Sequence, residues 1–350
     1  MTISADARDG LGRPRSSPGW GRLTWVTWRQ HRATLLGLGL FLAAVAAVTY
    51  LTGIEPQGLS ASFQDRCLRG STWIPQCGSL FSQLRGADYG PLLVPLAVGM
   101  FLGAPLLAQE YATGTARFAW TQSTGRGRQL ASKLTVLSLG VLAAGGLLGW
   151  LGQWSMTPPF ATQAELFNPW PVQAFNATPQ ALAGATLLGL AAGVLAGVAT
   201  RRVIPAMAAT AVVIIGLFTL NYTTMHPWLL SLGTRTARDL PAGVHPAGPV
   251  APDGVISLHQ VPQGQFGPRG SWLDQGWYTG PGGNRITGAR VHQLMALSQR
   301  QLTARHFSFW VRYQPASRHG LLLFTQTGAE VLLALLLGAL AICLVRRRRA

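Results

Sequence analysis

The chain alternates between long apolar runs and short polar strips. Runs without a charged residue cover Ala33–Gly53, Pro91–Ala108, Leu134–Trp154, Ala181–Thr200, Val203–Tyr222 and Leu321–Val345, the last interrupted by Glu330. Each has about the 17–25 residues that a helix needs to cross the hydrocarbon layer of a bilayer. The pattern predicts an all-α polytopic membrane protein with six transmembrane helices. Its second run is the least regular, because Pro95 and Pro105 fall within it, although prolines are tolerated in membrane helices. Residues 181–222 do not suit a single helix. Such a helix would be about 63 Å long, twice the hydrocarbon thickness. It would also bring Arg201 and Arg202 to the bilayer centre, at roughly 2.5–3.5 kcal/mol each. A tight turn at Thr200–Val203 removes the conflict and makes the fourth and fifth spans an antiparallel hairpin.

The strips between the runs have distinct characters. Residues 1–19 are rich in Gly, Pro, Ser and Arg, a composition expected to be disordered. From Trp20 to Arg32, indoles at Trp25 and Trp28 accompany Arg22, Arg29 and Arg32. That mixture suits a helix in the membrane interface, or a plain anchor for the first span. The strip Gln109–Lys133 opens on the acid Glu110 and contains the only lysine, Lys133. Between the fifth and sixth spans lies a long segment, 223–320. Its middle, Leu240–Gly288, is dense in Pro and Gly, and Arg290–Trp310 has a helical pattern through Val291, Leu294, Leu302 and Phe309. Within the fourth span, Gly189, Gly193 and Gly197 recur every four residues, which would let another helix approach closely; with 42 glycines in the chain, a chance match is the alternative.

Charge then fixes an orientation. The net charge of +17 and pI near 11.5 would fit a nucleic-acid binder, but the distribution argues against one. With segments taken alternately as inside and outside, the short inner ones hold sixteen basic residues and the short outer ones only Arg66, Arg69 and Arg85. This positive-inside asymmetry predicts cytoplasmic termini and an extracellular 223–320 segment. Cys67 and Cys77 then fall in the first outer loop, placed to form a disulfide or to stay as two thiols. The expected organisation is a tail 1–19, an interfacial helix 20–32, five spans over 33–222 with the cytoplasmic strip 109–133, the extracellular segment 223–320, a sixth span 321–345 and a basic tail 346–350. No cleavable leader is expected at the N-terminus.

Catalytic chemistry is not in view. The chain has no G-x-x-x-x-G-K-[ST] loop, H-E-x-x-H, G-x-S-x-G or kinase signature. Six of the seven histidines lie in 223–320 at spacings that match no metal motif. No enzyme activity, cofactor or metal is expected. Glu330 is the exceptional acid, about ten residues into the sixth span. It reads either as a proton-coupling group or as a carboxyl bonded to a neighbouring helix.

The stretch APLLAQEYATGTARFAWTQSTGRGRQLASKL resembles the corresponding part of permease subunits of ABC-2 type transporters, in the version common in actinobacteria. The match is carried by Glu110, Gly114, Thr115, Arg117, Ala119, Trp120, Thr121, Gln122 and Ser123. Further matches are Trp28, Arg29, His31 and Arg32 before the first span, Arg201, Arg202, Pro205, Ala206 and Met207 at the hairpin, and YQPASR before the sixth span. One departure is that the family pattern would place the acid of the sixth span nearer Gln326 than Glu330. The resemblance implies the ABC-2 permease fold and a plasma-membrane subunit of a bacterium. That subunit would pair as a homodimer or with a related permease, and two separate ABC ATP-binding subunits would drive export. Residues 109–124 would form the coupling helix, with Glu110 anchoring it and Gly114, Thr115, Arg117 and Trp120 at the ATPase. Trp25, Trp28, Arg29 and Arg32 would belong to a connecting helix among lipid headgroups. Two other readings of the chain are a proton-coupled secondary transporter using Glu330 and a membrane sensor with an extracellular module.

Overall fold

The computed structural model describes residues 20–58, 93–112, 126–156, 172–232, 234–238, 250–258, 271–297 and 299–347. Among them are six helices long and apolar enough to cross a membrane. These are α1 (Trp20–Gly58), α2 (Leu93–Ala112), α3 (Arg126–Met156), α4 (Pro179–Thr200), α5 (Val203–Ser231) and, after an intervening module, the helix His319–Arg347. A short helical turn, Val172–Asn176, precedes α4. The predicted six spans are all present.

Helix α4 is the centre of the bundle. It is apolar all round, and such a helix is stable only when surrounded. It packs against α2, α3, α5 and the last helix. Pro179 occupies its first turn, where no backbone donor is needed. At its other end Arg201 takes φ 57°, a left-handed cap that turns the chain into α5 within two residues. The predicted hairpin forms there, and both arginines are exposed.

The glycines at every fourth position of α4 seat α2. A methyl group on Gly189, Gly193 or Gly197 would lie 2.2 Å from the Pro95 carbonyl oxygen, 2.2 Å from that of Gly99 and 2.5 Å from that of Ala104, respectively. Close approach is therefore built from bare backbone on both helices. Leu102, Leu106, Leu190 and Val194 fill the seam, and Leu137, Val141 and Leu148 of α3 close it from the side. The two prolines of α2 are accommodated locally. Pro95 lies in the first turn, and Pro105 comes two residues after the end of a π-helical stretch, Val98–Gly103. Such a stretch reroutes the hydrogen bonds that a proline interrupts.

Helix α1 runs unbroken from Trp20 to Gly58. At about 58 Å it exceeds the roughly 30 Å hydrocarbon layer, and 20–32 continues the helix of the first span without a break between them.

The described residues between 235 and 314 form a module that the apolar runs did not predict. It is a four-stranded antiparallel sheet in the order β1-β4-β3-β2. The strands are β1 (Arg235–Arg238), β2 (Ile256–Ser257), β3 (Trp272–Thr279) and β4 (Ser308–Gln314). Two short helices, α6 (Ala289–Met295) and α7 (Gln299–Ala304), cover it. The helical pattern expected over Arg290–Trp310 ends early. His306 adopts φ 57°, and the chain reverses into β4. Phe309 and Val311 are buried there by strand alternation, beside Ile256, Leu258, Leu273, Val291 and Leu294. Tyr278 is wholly buried in the same core, and burial raises its phenol above the ordinary range. Asp274 and Arg312 form an ion pair between β3 and β4.

The module is fastened to the bundle. Trp272 packs with Phe175, Leu229, Leu230, Leu322 and Leu323. The buried Gln314 amide donates to the carbonyls of Leu230 at 3.3 Å and Leu232 at 2.8 Å. A single 3₁₀ turn, Ala316–Arg318, then leads into α8 (His319–Arg347), the sixth membrane-length helix.

Candidate transport site

Two sets of polar contacts stand out against the apolar bundle, one at each end. At the end where α2 and α3 flank residues 113–125, Glu110 of α2 forms an ion pair with Lys133 of α3. Both are poorly exposed, with side-chain exposures of 19% and 7%. Next to it, the Arg201 guanidinium lies 5.6 Å from the centre of the Tyr111 ring. The ends of α2 and α3 and the α4–α5 turn are thus tied together. Sequence reasoning assigned Lys133 to membrane orientation alone; its burial against an acid 23 positions away is a tertiary pairing that spacing does not reveal.

At the other end, a cavity of about 290 Å³ lies between α4, α5 and α8, with Pro95 of α2 in its wall. Its lining is mostly apolar and includes Leu188, Ile214, Leu217, Phe218, Trp228 and Leu333. Asn221, Thr325, Gln326 and Glu330 interrupt it with polar side chains. The Gln326 amide donates to Asn176 Oδ1 at 2.6 Å and to Glu330 Oε1 at 3.2 Å, and Asn221 donates to the same Asn176 oxygen at 3.4 Å. Glu330 is thereby bonded to its own helix one turn back, and its carboxylate sits against Gly184 of α4. Asn176 and Asn221 were not singled out from the sequence, since each stands alone in its own stretch. A second space of about 520 Å³ between α1, α2 and α5 is bounded by Leu38, Phe41, Phe101, Pro105 and Met207.

Of the residues expected to carry function, the structure brings Glu110 to Lys133 and Glu330 to the cavity. Arg32 is exposed on α1. Gly114, Thr115, Arg117, Trp120, Cys67 and Cys77, and the side chains of Trp25, Trp28 and Arg29, lie outside the described residues. Among the described residues no group of three or more His, Cys, Asp or Glu is placed to hold a metal.

A bundle of six membrane-length helices, one of them buried at its centre, with a mostly apolar cavity between three of them, defines a multi-pass membrane protein. Residues 37–225, more than half of the chain, match the family described as ABC-2 membrane transporter related, and the chain belongs to that family. It is accordingly the membrane component of an ABC transporter in a bacterial cell membrane, of a family whose members work with an ABC ATP-binding partner. The match spans α1 to α5 and stops before the sheet module and α8. No curated protein and no solved structure matches the chain.

Proposed function

We propose that the chain is the permease of an ATP-driven exporter. Residues 113–125 and both termini face the cytoplasm, and the sheet module faces outward. Two ATP-binding subunits dock at 109–133, and a second copy or a related permease completes the membrane part. The observation that supports this most is the continuous mechanical path from the docking strip to the cavity. The Glu110–Lys133 pair joins α2 to α3 where they enter and leave the strip. The glycine seam then holds α2 against α4 backbone to backbone, and Pro95 of α2 ends in the cavity wall. Force applied at 113–125 moves α2 and α3 together, and close-packed helices transmit that displacement. The cargo is a small, mainly apolar molecule, in keeping with the lining of the cavity.

The test is copurification of the tagged full-length chain from its own membranes. An ABC ATP-binding subunit, identified by its peptides, and vanadate-sensitive ATP hydrolysis are expected in the eluate. Substituting Trp120 or Arg117 is expected to release that subunit. If no ATPase is retained, and substitutions over 114–120 leave assembly and export untouched, the reading fails.

A further inference from the structure

The charge of the sheet module is one-sided. Residues 275–329 hold six arginines and no acidic residue. Two of the six have a place in the fold: Arg312 pairs with Asp274, and Arg318 lies in the turn that leads into α8. The other four, Arg285, Arg290, Arg300 and Arg305, are exposed. Arg285 has the exposed Asp253 at 4.0 Å, and no acid among the described residues pairs with the other three. Three of the four gather at one end of the sheet. β3 and β4 are fastened to the bundle where Trp272 pairs with Gln314, and they end where Thr279 pairs with Ser308, about 23 Å away along the strands. There Thr279 bridges to Arg285, whose guanidinium lies 4.9 Å from the centre of the Trp277 ring. The Arg290 guanidinium lies 5.8 Å from the centre of the Phe307 ring, and Arg305 stands two residues before that phenylalanine. Phe307 packs on the core side of the sheet with Phe309, whereas Trp277 alternates with the buried Tyr278 and faces the other way. The arginines therefore stand on both faces of one sheet end.

We propose that this end of the module binds a flexible phosphodiester polyanion of the cell exterior, a polyol-phosphate chain that wraps the sheet end. Charge complementarity sets the sign of the partner. A guanidinium held over an aromatic ring is pre-organised and still offers its N–H edge to two phosphate oxygens. The placement on two faces sets the size, because a single small anion cannot meet all three arginines and a chain can. Turning from one face of a sheet to the other takes a flexible backbone, which an acyclic polyol-phosphate has and a chain of linked sugar rings lacks. A lipid surface fits less well. Surfaces that seat among headgroups present apolar and aromatic side chains, and among the described residues no large hydrophobic one between Leu232 and Leu321 is exposed. That an exterior polymer reaches the module rests on the outward orientation proposed above; the contact itself does not depend on transport.

The experiment uses the full chain in phosphatidylcholine nanodiscs and fluorescent poly(glycerol phosphate), read by anisotropy and corrected for empty discs. Arg285→Gln, Arg290→Gln and Arg305→Gln together are expected to weaken binding at least about fivefold, the size of three exposed ion pairs. They are also expected to lower the slope of log Kd against log salt by about two, with an unchanged melting temperature. The same loss is expected when Arg346, Arg347, Arg348 and Arg349, at the far end of α8, are also changed to Gln to remove competing contacts. Polygalacturonate, a carboxylated polymer of sugar rings, is expected to compete at least about fivefold less well than unlabelled polymer at equal charge. Wild-type affinity and salt slope in the triple variant, or equal competition by polygalacturonate, overturns the proposal. So does arginine-dependent capture of the discs by phosphatidylglycerol vesicles that the polymer does not displace. Should the triple variant not be monodisperse, Arg305→Glu alone, in an exposed turn, is expected to weaken binding at least about threefold, and wild-type binding by it overturns the proposal equally. Polymer bound by discs but not by protoplasts that overproduce the chain overturns the exterior partner through its orientation alone. Loss of the arginine dependence while an ATPase still copurifies removes the contact and leaves the permease reading in place.

Discussion

The α2–α4 seam makes a quantitative prediction, because its glycines differ in what an added methyl would meet. In Gly193→Ala the new Cβ would lie 2.2 Å from the Gly99 carbonyl oxygen and 2.7 Å from the Ala104 nitrogen, where ordinary contact is 3.4–4 Å. Neither neighbour is the end of a side chain that can swing away, so α2 must retreat by about 1 Å along a close-packed face. Overpacking of this kind costs about 1–3 kcal/mol, and the gain in helix propensity from Gly to Ala returns about 0.5–1 kcal/mol. A net loss of about 1–2 kcal/mol remains, or for a chain of 350 residues a fall in melting temperature of about 1–3 °C. Gly189→Ala, with the Pro95 oxygen at 2.2 Å, is expected to match it. Gly197→Ala, at 2.5 Å from the Ala104 oxygen, is expected to be milder. Gly146→Ala and Gly216→Ala have nothing within 4 Å and provide the control, since only the propensity gain operates there. Thermal unfolding of the solubilised chain, followed by tryptophan fluorescence and by monodispersity, measures the series. If Gly193→Ala melts with Gly216→Ala, the seam is not a close backbone contact and the reasoning is refuted.

Two further outcomes follow from the ties at the bundle ends. Glu110→Gln leaves the Lys133 ammonium buried without its counter-charge. Breaking a fully buried pair costs about 3–5 kcal/mol, and the partial exposure of Glu110 reduces this to about 2 kcal/mol. Adding Lys133→Met should restore most of the melting temperature, so a single variant as stable as the double one would show that the pair contributes little. Trp272→Ala empties the contact between the sheet module and α5 and α8, a large-to-small change in the class that costs about 3–5 kcal/mol. Limited proteolysis should then cut within 235–314 faster while the helices stay protected, whereas Trp277→Ala, at a half-buried position, should leave the rate near wild type.

The spans were legible because membrane crossing imposes a length, and the six apolar runs meet it. The hairpin was legible for an energetic reason, since Arg201 and Arg202 have no tolerable place in one long helix. The spacing of Gly189, Gly193 and Gly197 announced a close approach, but not that α2 would be the neighbour. The sheet was hidden because β2 is two residues long and β1 pairs with a strand more than seventy positions away. In SFWVRYQ the alternation of Phe309 and Val311 with Trp310 and Arg312 was present, but Phe309 also continued the helical phase set by Val291 and Leu294. Only the left-handed turn at His306 decides between them. The polar cluster was dispersed in the same way. Asn176, Asn221 and Gln326 come from three distant segments and acquire meaning only where helices meet.

The strand order carries a consequence for how the chain is made. β4 is the fourth strand in sequence and the last to be synthesised, yet in the sheet it lies between β1 and β3. Until residues 308–314 arrive, β1 has no partner in the sheet and β3 has only the two-residue β2. Non-local pairing of this kind is slow and leaves strand edges exposed meanwhile. The same strand is joined through one 3₁₀ turn to α8, the last helix to enter the bundle. Closure of the sheet and insertion of the final helix are therefore adjacent events in the chain's biogenesis, and a translation pause or truncation just before residue 308 would leave both unfinished.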